Sequence, residues 1–60
     1  MRNSMTLQRH LITLRRKKGL TQQQAADLIG IHIRTYRRYE TLDQLVPWWR
    51  EDKIKEVFNE

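Results

Sequence analysis

The sequence predicts an all-α domain of four to five short helices, and three observations carry that prediction. Glycine occurs only at Gly19 and Gly30 and proline only at Pro47, so breakers punctuate an otherwise helix-favouring chain at three points. Leu7, Leu11 and Leu14 fall at i, i+4 and i+7, the spacing of one helical face. Thr21 with Gln24 three residues later is a capping-box pattern, which opens a helix by satisfying two of its free N–H groups.

Each element follows from these signals. The first helix spans about 6–18. Arg15, Arg16, Lys17 and Lys18 fall in its last turn, where positive charge suits the helix dipole, and Gly19 ends it. The second spans 21–29, with Ala25, Ala26 and Ile29 facing inward and Gly30 as its stop. The third spans 32–40, with Tyr36 and Tyr39 on one side and Arg34, Arg37 and Arg38 on the other. Two short helices joined by so tight a glycine turn cross at a large angle, which makes a helix-turn-helix unit. Thr41 to Val46 form a connector. Pro47 then suits the first position of a last helix, 47–58, where its missing N–H costs nothing. Trp48, Ile54, Val57 and Phe58 supply the apolar side of that helix, with Trp49 at its edge.

Sixty residues allow one domain, 1–60. A chain this short buries only roughly 60% of the surface its unfolded form exposes. It has no cysteine, so no disulfide or cysteine-held metal supplements the core, and tight packing or self-association remain. The expected setting is cytoplasmic: no apolar run is long enough to span a bilayer, and the opening residues lack the apolar stretch of a signal peptide.

The net charge is +5, and its distribution is uneven. Residues 1–40 carry nine basic side chains against Asp27 and Glu40, whereas residues 41–60 carry three against five acidic ones. A basic body with a mildly acidic tail suits a polyanion on one surface and something else on another. The third helix is the candidate reader. Arg34 and Arg38 are at i, i+4 and project together, with Arg37 alongside. Arginine pairs bidentately with guanine O6 and N7, and Ile33 can touch a thymine methyl. The bland reading of these arginines is a solvated face. Arg15 to Lys18 fit helix-dipole complement and solubility at least as well as phosphate binding, so they stay off the list of base readers.

The stretch Leu20-Thr21-Gln22 through Tyr39-Glu40, preceded by Leu11-x-x-Leu14-Arg15-x-x-x-Gly19, resembles the Cro/phage-repressor (XRE-like) helix-turn-helix family. Thr-Gln opening the second helix, Ala26, the Gly30 turn, Ile31, Thr35 and an aromatic-Glu ending carry the resemblance. It implies a lambda-repressor-like helix-turn-helix domain that binds double-stranded DNA. It implies that Gln22 contacts a phosphate and braces the recognition helix, and that Arg15 and Glu40 form a partly buried salt bridge. His32, Thr35 and Thr41 complete the expected phosphate set, with His32 also at the N-cap position. The sequence departs from the family after Glu40: Thr41-Leu42-Asp43-Gln44-Leu45-Val46 stands where relatives commonly have Asn-Gly, and one further helix follows where many have two. The family's dimer geometry therefore does not carry over. Leu45, Trp48, Trp49 and Phe58 are the dimer-interface candidates, because large apolar groups concentrate in the last third.

An enzyme is not expected. There is no Ser/His/Asp set, no framed pair of carboxylates and no phosphate-cradling glycine loop. His10 and His32 lack metal-ligand spacing, so neither metal nor cofactor is implied. A basic membrane-surface peptide does not fit residues arranged around a tight turn. The resemblance most implies a repressor of its own operon, as in phages and plasmids, acting as a homodimer on a pseudo-palindromic operator. The alternative is an antitoxin-like module whose C-terminal helix holds a protein partner.

Overall fold

The computed structural model describes residues 4–58. Among these the chain is all-helical: α1 Ser4–Arg9, α2 Leu11–Lys17, α3 Gln22–Ile29, α4 Ile33–Thr41 and α5 Trp48–Phe58, with no strand.

The first predicted helix is two. His10 breaks it with φ −97° and ψ 0°, and its N–H donates to Leu7 O at 3.0 Å, three residues back. Such a bond tightens the turn without ending the apolar stripe. Leu7, Leu11 and Leu14 all stay buried across the break, so their spacing gives no sign of it.

The two glycine stops and the capping box form at the expected places. Thr21 Oγ1 accepts from Gln24 N–H at 3.0 Å, while Gln24 Oε1 accepts from Thr21 N–H at 2.9 Å. Gly30 closes α3 at φ 85°, and the N–H groups of Gly30 and Ile31 both return to Ala26 O. Ala25 and Ala26 are fully buried, which lets α4 pack close to α3. Leu42 ends α4 in the left-handed region, at φ 66°.

The last helix corrects the sequence reading of its inner face. Glu51, Ile54 and Phe58 are buried, at i, i+3 and i+7, whereas Trp48 is 72% exposed and Trp49 56% exposed. A helix can turn only one stripe inward, and Trp48 lies about 120° around from Ile54 at 100° per residue. Glu51 thus enters the buried face, and its Oε1 lies 3.4 Å from Lys55 Nζ. Phe58 is 3% exposed within this chain's own core, so it is not a surface group for a second subunit.

A buried side chain that periodicity did not single out ties the first and last parts of the fold together. Gln8 is 1% exposed. Its Nε2 donates to Tyr39 O at 2.9 Å and Gln44 O at 2.6 Å, and its Oε1 accepts from Val46 N–H at 3.2 Å. One amide thereby binds three backbone groups at the end of α4 and in the connector, of which Tyr39 O also accepts from Leu42 N–H at 3.4 Å. The signal was its position three residues before Leu11, on the same face.

Candidate nucleic-acid interface

Helices α3 and α4 are joined by residues 30–32 alone. Ile31 and Ile33 pack half-buried against the core on either side of His32. His32 caps α4: Arg34 N–H donates to His32 Nδ1 at 3.0 Å. An accepting ring nitrogen carries no hydrogen, so the neutral ring carries its proton on Nε2 and keeps one donor.

α4 divides sharply. Tyr36 and Tyr39 are fully buried, while Arg34, Arg37 and Arg38 are exposed. Both phenols are used. Tyr36 OH donates to Glu40 Oε2 at 2.6 Å, and Arg50 Nη1 donates to Tyr39 OH at 3.1 Å. The Arg50 guanidinium also sits 4.7 Å from the centroid of the Trp49 ring, within cation–π range. The two tyrosines therefore fasten the recognition helix by packing and by hydrogen bonds, leaving its basic side free.

Glu40 is the hub of this face. Arg15 Nε donates to Glu40 Oε2 at 2.7 Å and Arg15 Nη1 donates to Leu20 O at 2.9 Å, which joins α2, the α2–α3 turn and α4. Gln22 Nε2 donates to Glu40 Oε1 at 2.8 Å. Burial pushes the Glu40 carboxyl up, but hydrogen bonds from Arg15, Tyr36 and Gln22 outweigh it and hold the carboxyl below the ordinary carboxylate value. Burial, together with the Glu40 carboxylate, raises the Tyr36 phenol well above its usual value. The hydrogen bond to Glu40 raises the Arg15 guanidinium further, so the pair stays charged.

The remaining residues fall as follows. Gln22 touches both Glu40 and Arg37, whose Nε donates to Gln22 Oε1 at 3.4 Å. Thr35 is half-buried on α4. Thr41 has one hydroxyl hydrogen, and its closest acceptor is Asp43 Oδ2 at 2.9 Å. An adjacent carboxylate repels a phosphate, so this hydroxyl is poorly placed as a backbone donor. Leu45, 60% exposed, lies in the connector just before the exposed Trp48 and Trp49. Among the described residues, no group of three or more His, Cys, Asp or Glu side chains could hold a metal ion, and no helix is long and apolar enough to cross a membrane.

What the arrangement offers is a short helix with an exposed basic side, anchored through two buried tyrosines and a satisfied ion pair. Such a helix can enter a major groove without rearranging its scaffold. Comparison with curated proteins and with solved structures gave no match. The helix-turn-helix family model matches residues 11–44, from the start of α2 through the turn that follows α4. That span is more than half of the 60 residues and contains the whole α3–turn–α4 unit. The chain belongs to the XRE-like helix-turn-helix family of DNA-binding regulators.

Proposed function

We propose that this chain is a Cro-like repressor that binds a pseudo-palindromic operator as a homodimer. The observation that carries the reading is the division of α4, with Arg34 and Arg38 exposed opposite fully buried Tyr36 and Tyr39. Arg34 and Arg38 read guanines, and Ile33, half-buried at the start of the helix, contributes a smaller apolar contact. Gln22, His32 through Nε2–H, and Thr35 bind phosphates and set the register.

The size of the body supports two copies. The body measures 30 × 22 × 17 Å, whereas major grooves on one side of the duplex recur about every 34 Å. One copy covers a single half-site. The exposed Leu45, Trp48 and Trp49 form the apolar surface through which the second copy joins.

Selection of binding sites from a randomised duplex pool tests this, at about 150 mM salt to weaken purely electrostatic binding. The expected result is a two-fold symmetric motif with guanines in half-sites about one helical turn apart. A lone half-site contradicts the dimer, and no enriched sequence contradicts the DNA-reading role.

A further inference from the structure

Gln22 has an amide that can point only one way. Glu40 Oε1 is an acceptor, so the Gln22 group facing it at 2.8 Å must be the NH2 end. Flipping the amide would set two acceptor oxygens against each other. Glu40 is itself immobilised by Arg15 and Tyr36, at 2.7 and 2.6 Å. The Gln22 Oε1 is therefore fixed outward, and it is this oxygen that receives Arg37 Nε at 3.4 Å. A chain of hydrogen bonds thus runs from the buried Tyr36 through Glu40 and Gln22 to an exposed arginine. Arg37 is held on the shoulder of α4 nearest α3. At 100° per residue it stands about 80° around the helix from the line midway between Arg34 and Arg38.

We infer that Arg37 is a backbone-binding residue, positioned by Gln22, and that it does not read bases. This rests on the DNA-reading function proposed above. With its Nε engaged, Arg37 keeps both terminal nitrogens for an anion. Gln22 keeps the second hydrogen of its NH2 group. These donors stand together on the α3 side of the recognition helix and suit one phosphate oxygen pair of the flanking strand. Sequence preference then belongs to Arg34 and Arg38 alone among the arginines of α4. Gln22 is the positioning residue, because Arg37 reaches this place through the Gln22 oxygen.

The test combines site selection with salt titration of the full chain. Arg37→Ala should weaken binding roughly tenfold at about 150 mM salt, equally for every site. It should reduce the slope of log affinity against log salt by about 0.9, the loss of one phosphate contact, and leave the selected motif unchanged. Arg37→Lys should keep the wild-type slope and motif. Losses from Gln22→Ala and Arg37→Ala should be less than additive in the double variant, because each removes the same clamp. Thermal melts of each variant check that the domain is folded. A motif that loses preference at one base pair in Arg37→Ala overturns the inference. Fully additive losses overturn the positioning role of Gln22. Failure of the wild-type chain to enrich any motif would remove the DNA-reading function itself, and it would be visible before any variant is made.

Discussion

Glu40 gathers three donors from three parts of the chain and joins α2, α3 and α4 through side chains at one point. Its side chain is 3% exposed and that of Arg15 is 15% exposed, so the pair is only partly screened by solvent. Glu40→Gln keeps the shape but leaves Arg15 without its counter-charge, and it should cost about 2–3 kcal/mol in denaturant unfolding at neutral pH. The difference should depend on pH. The folded carboxyl lies below its ordinary value of 4.5, so its contribution is complete above that value and fades as pH falls through the lower folded value. The stability gap between wild type and Glu40→Gln should therefore narrow below about pH 4.5, and a constant gap would show that the carboxylate charge is not what stabilises. Gln8 is the second such residue. Gln8→Leu takes the side-chain partner from Gln44 O and Val46 N–H, while Tyr39 O keeps Leu42 N–H, and it should destabilise by about 2 kcal/mol although it adds apolar volume. A neutral or stabilising result would mean those groups find water or other partners.

At the scale of elements, the end of α4 is the strained point. Leu42 adopts φ 66° and is 41% exposed, so it loses little packing if replaced. Left-handed backbone costs a non-glycine residue about 1–2 kcal/mol, partly offset by the extra unfolded-state entropy of glycine. Leu42→Gly should raise stability by about 0.5–1 kcal/mol, a rise of several degrees in Tm for a domain this small. An unchanged or lower Tm would place the strain elsewhere. The helices themselves were legible because their signals are local: Thr21 with Gln24, Gly19, Gly30 and the leucine spacing all act within a few residues. The break at His10 was not legible, since the apolar stripe continues through it. Nor was the inner face of α5, where Glu51 takes the place that hydrophobicity assigns to Trp48. A single helix lists its faces but not which one its neighbours cover. The tyrosine–arginine division of α4 could be read directly, while the contact that engages Gln22 with Arg37 joins side chains fifteen residues apart.

The whole molecule presents two separable surfaces, a basic one on α4 and an apolar one at the start of α5. Trp48→Ala and Trp49→Ala should weaken self-association in sedimentation at micromolar concentration while leaving monomer stability within about 0.5 kcal/mol, as expected of exposed positions. Phe58→Ala should instead cost about 3–5 kcal/mol, because Phe58 fills this chain's own core. Tryptophan variants that sediment like wild type would move the dimer contact to another face.

The central claim is that α4 reads bases through Arg34 and Arg38. The most direct measurement is the affinity of wild type and Arg38→Ala for a selected operator and for versions with each guanine replaced in turn. The account predicts that wild type loses about 1–3 kcal/mol at one guanine per half-site, and that Arg38→Ala no longer distinguishes that position while retaining the others. Equal discrimination by both proteins at every position would contradict it.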